Sequence, residues 1–368
     1  MREFCVVRGP YLKPQDFQFY GNIPGFKVRF LGTSLSSDIL TGSDLFTRCR
    51  VKNVFSHIMS NHKPNLFSFL FIEDFERCME NSDILNTIET YSFISRQCVH
   101  HSKKTGKKLV VSAFETIPYM FLTMCPPYGF NSRATLKAAD MFIALTKRAR
   151  NALISMSVHP DKIRIIYPGF DMDRFHPCIR KNDTRCRILF VGRLVREKGV
   201  LELLNSFKEL FKSRKEVELW IAGKGPLQKI IDYYSIKLPI RSFGFVKYEK
   251  VPELYNQCDI FCLPSKDRRM FGFKIWEEQF GFVIVEALAS GLPIVATNCG
   301  AIPEIAGPSN LFVPQGSEQQ LTTKLLRLID DKNLRLEISS KNRKRALQLF
   351  DSKKQKKLLS SALTALLE

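Results

Sequence analysis

The chain has 368 residues, 45% of them hydrophobic, and a formal net charge of +20. This length exceeds one ordinary hydrophobic core and predicts two globular domains. The positive surplus is spread along the chain, with 22 basic and 13 acidic side chains in residues 1–170 and 34 and 23 in the remainder. This even distribution argues against a nucleic-acid-binding arm, and we expect no nucleic acid partner.

The cysteines and the apolar runs of the sequence indicate in which cellular compartment the protein is expected. Ten cysteines are scattered singly, without a Cys-x-x-Cys pair, which favours free thiols in a reducing compartment. The first apolar run, Phe4 to Val7, is too short for a signal peptide. No run approaches the roughly 18 apolar residues of a spanning helix. We expect a cytoplasmic protein, with peripheral contact at the inner face of a membrane left open.

Short apolar runs alternate with helix-like stretches in the first half, a pattern typical of a parallel sheet with crossover helices. The stretch Ile84 to Lys104 predicts a helix that ends at Gly106. The predicted strands of this half are Phe4 to Val7, Lys27 to Leu31, Leu66 to Ile72, Leu109 to Ala113 and Met141 to Leu145.

The second half repeats the pattern after a strand and turn at Ile163 to Asp171 and a polar segment at Cys178 to Cys186. Residues 1–170 and 171–350 are therefore predicted to form two domains, and the helix in residues 351–368 to pack back onto the body. The predicted strands here are Arg187 to Val191, Glu218 to Ala222, Ile240 to Phe243, Ile260 to Leu263 and Pro293 to Ala296.

Two consecutive α/β layers predict an α/β fold with two Rossmann-like, doubly wound domains that face a central cleft. Ligands of such sheets bind at the carboxyl ends of the strands. Residues on the loops that follow predicted strands are therefore the first candidates for a functional site.

The segment Trp276 to Pro293 is the most informative part of the chain. Phe282 to Ser290 predicts a helix, which places Glu286 on its second turn and Glu278 on the loop before it. The amides of the turn and of the first helical residues lack acceptors within the helix, so they form a positive pocket for phosphate or sugar oxygens. The two carboxylates can accept hydrogen bonds from hydroxyl groups.

Two loops that follow predicted strands add phosphate-binding character. In Val191-Gly192-Arg193-Leu194-Val195-Arg196-Glu197-Lys198-Gly199, Gly192 lets the backbone pass close to a ligand, and Arg193 and Lys198 can bracket a diphosphate. Gly223, in Ala222-Gly223-Lys224-Gly225-Pro226, opens half of a phosphate-binding glycine loop. This loop lacks the Rossmann spacing and the full P-loop, which argues against nicotinamide chemistry and ATP hydrolysis.

In this order the motifs resemble the carboxyl-terminal donor-binding domain of a family 4 glycosyltransferase, which has the GT-B fold. The resemblance is strong from about Ile163 to Phe350 and limited in residues 1–160 to the strand and helix rhythm and to Ala139 through Thr146. It rests on Val191 to Gly199, Ala222 to Pro226, Leu263-Pro264-Ser265, Glu278 to Pro293 and Gly300-Ala301-Ile302-Pro303-Glu304.

The resemblance implies retaining transfer of a glycosyl group from a nucleotide diphosphate sugar to a carbohydrate or lipid-linked acceptor. Residues 1–170 would be the acceptor side and residues 171–350 the nucleotide-sugar-binding domain. Arg193 and Lys198 would neutralise the leaving diphosphate, Glu278 would hold hydroxyls of the donor sugar, and Glu286 would bind the ribose hydroxyls. The implied donor contacts of the backbone lie at Phe280, Gly281, Phe282 and Val283. No Asp-x-Asp metal motif stands directly at the end of a predicted strand, so we expect neither a metal ion nor another cofactor.

The first half departs from the family pattern at two places. Gly9, in Arg8-Gly9-Pro10, stands where many relatives have a Gly-Gly loop that meets the donor phosphates and the acceptor. Glu115 stands in the stretch where many relatives offer a histidine near the acceptor, and it could orient or deprotonate an acceptor hydroxyl. An ordinary loop carboxylate is the alternative for Glu115.

The segment Lys266 to Trp276 is longer than the link that relatives usually have at this place in the chain. It predicts a basic, aromatic loop that overhangs the cleft and influences substrate choice. Two rival functions stay open at this stage. One is glycoside hydrolysis by Glu278 and Glu286. The other is a catalytically inactive scaffold or sensor that binds a sugar nucleotide.

Overall fold

The computed structural model describes residues 1–10, 12, 14–33, 46–53, 70–178 and 185–368. The chain forms two compact units, Met1–Gly169 with Ser352–Glu368, and Phe170–Asp351. The division falls one residue from the predicted boundary. Each unit is an α/β layer with a parallel sheet, in agreement with the predicted fold class.

The first unit is built on a seven-stranded parallel sheet. Its strands are β1 (Arg2–Gly9), β2 (Phe26–Gly32), β3 (Phe46–Arg48), β6 (Ile84–Ile88), β7 (Lys108–Ala113), β8 (Met141–Ala144) and β9 (Ile163–Ile165), and β4 (Val51–Asn53) and β5 (Leu70–Ile72) form a separate antiparallel pair. The order across the main sheet is β3-β2-β1-β6-β7-β8-β9. The helices are α1 (Pro14–Tyr20), α2 (Phe75–Met79), α3 (Phe93–Thr105), α4 (Phe121–Met124), α5 (Tyr128–Ala138), α6 (Lys147–Ser155) and α14 (Ser352–Leu367).

Two predictions for this unit were wrong in part. The predicted helix Ile84 to Lys104 contains strand β6 and helix α3, which begins after Ser92, whose side chain accepts a hydrogen bond from the amide of Ser95 at 2.9 Å. The apolar run Ile84–Ile88 pairs with both β1 and β7, so burial in the sheet outweighs its helical periodicity. Of the predicted strand Leu66 to Ile72, residues 66–69 lie outside the described residues and β5 pairs with β4 instead of the main sheet.

The second unit is built on a six-stranded parallel sheet. Its strands are β10 (Cys186–Val191), β11 (Val217–Ala222), β12 (Ile240–Gly244), β13 (Ile260–Leu263), β16 (Ile294–Thr297) and β17 (Leu311–Val313), and β14 (Arg268–Met270) and β15 (Phe273–Trp276) form a hairpin. The order across the sheet is β12-β11-β10-β13-β16-β17. Its helices are α7 (Val200–Ser213), α8 (Gln228–Ser235), α9 (Val251–Asn256), α10 (Phe282–Ala289), α11 (Ile302–Ala306), α12 (Glu318–Asp330) and α13 (Lys332–Leu349).

Both faces of the first sheet are covered, which explains why its central strands are almost wholly apolar. Along β1, Phe4 and Val6 join one hydrophobic cluster and Cys5 and Val7 join the other. Since successive side chains of a strand point to opposite faces, the two clusters lie on opposite sides of the sheet. This is the arrangement of a doubly wound fold.

The terminal helix α14 completes one of these clusters. Leu359 and Leu363, four residues apart on one face of the helix, are fully buried against the cluster that contains Phe4. Full burial of each leucine contributes about 2 kcal/mol. The helix therefore belongs to the first unit, although it follows the second unit in sequence.

Two further features concern the predicted compartment. The ten cysteines are free thiols. Within the described residues, every helix is too short or too polar to cross a membrane.

Candidate active site

Two glycine loops meet at the carboxyl ends of β10 and β11. The amide of Gly192 donates to the carbonyl of Ala222 at 2.9 Å, and the amide of Gly223 donates to the carbonyl of Gly244 at 2.7 Å. Gly223 has φ of 151°, and a Cβ there would lie 1.8 Å from the carbonyl oxygen of Gly192. A side chain at Gly223 would therefore push the two loops apart, which gives this glycine a structural role beside the predicted ligand contact.

A tight turn delivers Lys198 to the end of β13. Residues Arg196–Lys198 form one turn of 3-10 helix, and Gly199 follows in the left-handed conformation with φ of 70°. A Cβ at Gly199 would lie 1.9 Å from the carbonyl oxygen of Pro264. The loop after β10 is thus fixed against the loop after β13. Arg193, on the same loop, has a 62% exposed side chain that lies 3.7 Å from the Glu197 carboxylate.

Glu278 is the buried acidic centre of this edge. Its Oε2 accepts hydrogen bonds from Lys198 Nζ at 2.6 Å and from Ser265 Oγ at 3.0 Å. Its backbone carbonyl accepts from the amide of Ala301 at 2.8 Å, and a Cβ at Gly300 would lie 2.1 Å from that carbonyl oxygen. The structure therefore brings together Lys198 and Glu278, which are 80 residues apart in sequence.

The start of helix α10 lies directly after Glu278. Gly281 has φ of 82°, and a Cβ there would come within 2.9 Å of the Ile284 side chain. The Phe280 ring is buried and stacks on Phe170 with 6.5 Å between ring centroids. The side chain of Phe280 is thus part of the core, so only its backbone could contact a donor. The predicted contacts at Gly281, Phe282 and Val283 likewise concern the backbone at the start of the helix.

Glu286 lies in a different environment from Glu278. Its side chain is 6% exposed, and its Oε2 lies 2.9 Å from the hydroxyl of Tyr255, which also lies 3.1 Å from the carbonyl oxygen of Val283. Burial raises the pKa of Glu286 to about 7. The Tyr255 hydroxyl is the donor toward Glu286 Oε2, and this hydrogen bond opposes part of the effect of burial on the pKa of Glu286. The two glutamates of the hydrolase alternative therefore have different partners.

The charged side chains at the carboxyl ends of the first sheet are arranged differently from those around Glu278. Gly9, at the end of β1, has φ of 56°, and a Cβ there would lie 2.7 Å from the Ile94 side chain. The preceding Arg8 is 1% exposed, and its guanidinium pairs with Asp16 at 2.9 Å and with the side-chain oxygen of Asn86 at 2.9 Å. The charge of Arg8 is thus neutralised within the fold.

Glu115 and Glu89 follow the adjacent strands β7 and β6. Glu115 Oε1 accepts from the amides of Thr116 and Ile117, each at 2.9 Å, and Glu89 Oε1 accepts from the amide of Phe114 at 3.0 Å. Burial and the neighbouring Glu115 carboxylate raise the pKa of Glu89. Glu89 was missed in the sequence because the strand before it was predicted to be helical. A correct assignment of β6 would have placed it at a strand end.

Two family models match the chain in sequence. The model described as "Glycosyltransferase Family 4" matches residues 25–174, and the model described as "Glycosyl transferases group 1" matches residues 171–345. The two matches meet close to the boundary between the two units.

Curated relatives match part of the chain in sequence. The MMP alpha-(1->4)-mannosyltransferase of Mycolicibacterium hassiacum is 28% identical over 234 residues, covering 61% of this chain and 54% of the relative. The sulfoquinovosyl transferase SQD2 of Arabidopsis thaliana is 26% identical over 271 residues, covering 68% of this chain and 50% of the relative. The chain thus spans about half the length of the curated relatives it matches.

A solved structure matches over the whole chain. HepE of Anabaena, crystallised with UDP, has a TM-score of 0.74 and 14% identity, with 99% of this chain and 100% of that chain covered. The same protein with UDP-glucose gives a TM-score of 0.72. At this identity the likeness concerns the fold.

Proposed function

We propose, since the chain belongs to glycosyltransferase family 4 with its GT-B fold, that it transfers a sugar from a nucleotide diphosphate sugar to a hydroxyl acceptor. The observation that carries the proposal is the contact between Lys198 and Glu278 at the carboxyl edge of the second sheet. A cation and a carboxylate at that edge match the two ends of a donor, which has an anionic diphosphate and a hydroxylated sugar.

The residues have separate tasks in this reaction. The bond between the anomeric carbon and the diphosphate oxygen breaks, and its electron pair stays on the diphosphate. Lys198 and Arg193 stabilise that negative charge, and the amides at the start of α10 add to them. Glu278 accepts hydrogen bonds from sugar hydroxyls and stabilises the positive charge on the sugar ring. Since Lys198 has three N–H groups, it can keep its contact with Glu278 and still reach a phosphate oxygen.

We assign nucleotide binding to residues of the second unit on the loops and helix near the same carboxyl edge. Glu286 binds the ribose hydroxyls through its carboxyl group, which exchanges its hydrogen bond with Tyr255 for one with the ligand. Because Gly192 and Gly223 have no side chain, the diphosphate can approach the backbone of their loops closely. Because Lys198 and Arg193 supply the positive charge, the reaction needs no metal ion. Full activity in excess chelator is the expected result, and loss of activity that Mg²⁺ restores would contradict it.

The acceptor is a carbohydrate or a lipid-linked saccharide, and the anomeric configuration is retained. The acceptor hydroxyl forms the new bond to the anomeric carbon and loses its proton. Glu115, whose charge raises the pKa of the neighbouring Glu89 at the carboxyl edge of the first sheet, orients or deprotonates that hydroxyl, and Gly9 lies at the same edge. Support for a polysaccharide acceptor comes from the name of a further relative, the capsular polysaccharide biosynthesis glycosyltransferase CapM of Staphylococcus aureus.

The direct test uses purified protein and a panel of nucleotide diphosphate sugars. We expect release of a nucleoside diphosphate from one donor class, and NMR of the product should show the anomeric configuration of the donor. The variant Glu278→Gln keeps the shape of the side chain and should lose at least about 100-fold in kcat. If the wild-type protein binds a donor but neither transfers nor hydrolyses it, the chain is a sugar-nucleotide-binding scaffold and the catalytic proposal fails.

A peripheral contact with a membrane is a further part of the proposal. Helix α5 exposes Phe130, Arg133 and Lys137 at spacings of three and four residues, which places an aromatic ring and two cations on one face. Such a face suits anionic phospholipid. We expect co-sedimentation with phosphatidylserine vesicles at low salt, weakened in the double variant Phe130→Ala, Arg133→Ala. Equal sedimentation of this variant and the wild-type protein would contradict the assignment.

A further inference from the structure

The segment between Ser265 and Glu278 is a β-hairpin. Strands β14 and β15 pair antiparallel, with Arg268 opposite Trp276 and Met270 opposite Phe273. Phe271 and Gly272 form the two-residue turn, with φ of 50° and 81°. Positive φ at both positions is the requirement of a type I′ turn, which matches the right-handed twist of paired strands. The segment Lys266 to Trp276, predicted to be a loop, therefore contains two paired strands.

The base of the hairpin is fixed to the second unit by charged and polar contacts. Lys274 Nζ lies 2.7 Å from the Asp267 carboxylate and 2.9 Å from the Glu277 carboxylate, which is buried. Asp267 exchanges hydrogen bonds with Gln315, its amide donating at 2.7 Å and its Oδ1 accepting at 3.2 Å. These contacts hold both ends of the hairpin, so its last residue has a defined place.

That last residue, Trp276, contacts the candidate site. Lys198 Nζ lies 5.2 Å from the centroid of the Trp276 ring and 2.6 Å from Glu278 Oε2. The ammonium group is thus held between a carboxylate and the face of an indole ring. The tip of the hairpin is different, because Phe271 and Phe273 are 91% and 67% exposed.

We propose that Trp276 determines specificity for the transferred sugar, and this inference rests on the proposed function. Lys198 covers one face of the indole ring. The face that Lys198 leaves open forms an apolar wall near Glu278, and the C–H face of a hexose packs on it while Glu278 accepts its hydroxyls. A sugar whose configuration turns a hydroxyl toward the ring leaves that hydroxyl without water or a partner, which lowers its affinity. Glu278 thus recognises the hydroxyls, and Trp276 selects the epimer.

The two tryptophans of the chain allow binding to be followed without activity. Trp220 is buried in β11, whereas Trp276 is half-buried beside Lys198. A diphosphate that attracts Lys198 changes the charge next to the indole of Trp276. We expect a nucleoside diphosphate to change the tryptophan emission of the wild-type protein, and a nucleotide sugar to change it further. The variant Trp276→Phe should bind both ligands with little change in emission.

The decisive experiment compares sugar epimers that carry the same nucleotide. In Trp276→Ala we expect kcat/KM for the preferred donor to fall about tenfold or more, and the preference over its epimer to shrink to within about threefold. The affinity for the free nucleoside diphosphate should stay within about twofold, which also verifies folding. Trp276→Phe should keep the preference, and Phe273→Ala, on the same strand, should behave as the wild-type protein.

The outcomes separate this inference from the proposal on which it rests. Unchanged epimer preference in Trp276→Ala, with nucleotide binding intact, would overturn the role of Trp276 and leave the transferase proposal standing. A loss of preference equal in Phe273→Ala and Trp276→Ala would also overturn it, because the effect would then come from the hairpin as a whole. Absence of nucleotide binding in the wild-type protein would contradict the proposed function itself.

Discussion

The carboxyl edges of the two sheets carry opposite chemistry. At the edge of the first sheet, Arg8 is buried and paired with Asp16, and the strands β6 and β7 are followed by the carboxyl groups of Glu89 and Glu115, which raise each other's cost of ionisation. At the edge of the second sheet, Lys198 lies beside Glu278, and Arg193 reaches solvent. Both edges have the same backbone architecture, so the difference lies in the side chains.

Two units with the same type of fold can serve different functions when the side chains at their carboxyl edges differ. At the first edge the charge of Arg8 is neutralised inside the fold by Asp16, while two carboxyls can accept hydrogen bonds or a proton from a hydroxyl group. In the proposed reaction, the exposed Arg193 and the Lys198 of the second edge stabilise a leaving anion. We therefore expect substitutions at the second edge to weaken donor binding and substitutions at the first edge to spare it.

The largest effect is expected for Lys198→Ala. This variant loses the cation that the proposed function assigns to the diphosphate, and it leaves the buried Glu278 carboxylate with Ser265 as its hydrogen-bond donor. We expect kcat/KM for the donor to fall at least about 100-fold, measured by release of the nucleoside diphosphate. Lys341→Ala, which breaks an exposed ion pair with Glu337 on α13, is the matched control. A fall of less than about threefold in Lys198→Ala would remove this residue from the mechanism.

The next effect concerns the acceptor side. Glu115→Gln should lower the rate of transfer by about tenfold to 100-fold at saturating donor, because a neutral amide cannot take the acceptor proton. The dissociation constant of the donor should not change, and Glu89→Gln should have a smaller effect because the elevated pKa of Glu89 already favours its neutral form. A change in donor affinity as large as the change in rate would show that the two edges do not divide the tasks in this way.

The pH dependence of stability tests the environment of Glu286. Its pKa in the folded protein is about 7, above the ordinary value of 4.5. The folded state therefore retains a proton that the unfolded state releases, so this contribution to stability is complete below about pH 4.5 and is lost as the pH rises through 7. The loss amounts to about 3 kcal/mol at most.

Glu286→Gln should remove that dependence. Urea unfolding followed by circular dichroism should show the variant gaining stability relative to the wild-type protein between pH 5 and 7.5. The exposed Glu337→Gln is the control and should show a constant difference from the wild-type protein. A constant difference for Glu286→Gln as well would mean that the carboxyl is ionised in the folded protein across this range.

The smallest effect is expected for Arg193→Ala. Its guanidinium is 62% exposed, so solvent screens its interaction with a diphosphate. We expect KM for the donor to rise about three- to tenfold at low ionic strength and the difference to shrink in high salt. Arg214→Ala, which breaks an exposed ion pair with Asp330, serves as the control. An effect of Arg193→Ala that is independent of salt would indicate a desolvated contact instead.

Sequence reasoning succeeded where a motif combines a strand, a turn and a helix. Gly192, Lys198 and Glu278 lie on loops whose glycines fix the backbone, so their positions at strand ends could be predicted from local chemistry. The contact of Lys198 with Glu278 depends on the pairing of β10 with β13 in the sheet, which the local sequence pattern does not determine.

The failures have identifiable physical causes. The apolar run Ile84–Ile88 is compatible with a helix or a buried strand, and only its pairing with β1 and β7 decides between them. That ambiguity concealed Glu89. The segment Lys266 to Trp276 was interpreted as a loop and its hairpin was not predicted, although Phe271-Gly272 between alternating residues is compatible with a hairpin turn.

Calorimetric titration of a nucleoside diphosphate into the wild-type protein, Lys198→Ala and Glu115→Gln tests the central claim most directly. The account predicts that Lys198→Ala weakens binding by about tenfold or more, while Glu115→Gln binds as the wild-type protein does. Equal affinities in all three proteins, or a loss confined to Glu115→Gln, would contradict the assignment of the diphosphate to the edge formed by Lys198 and Glu278.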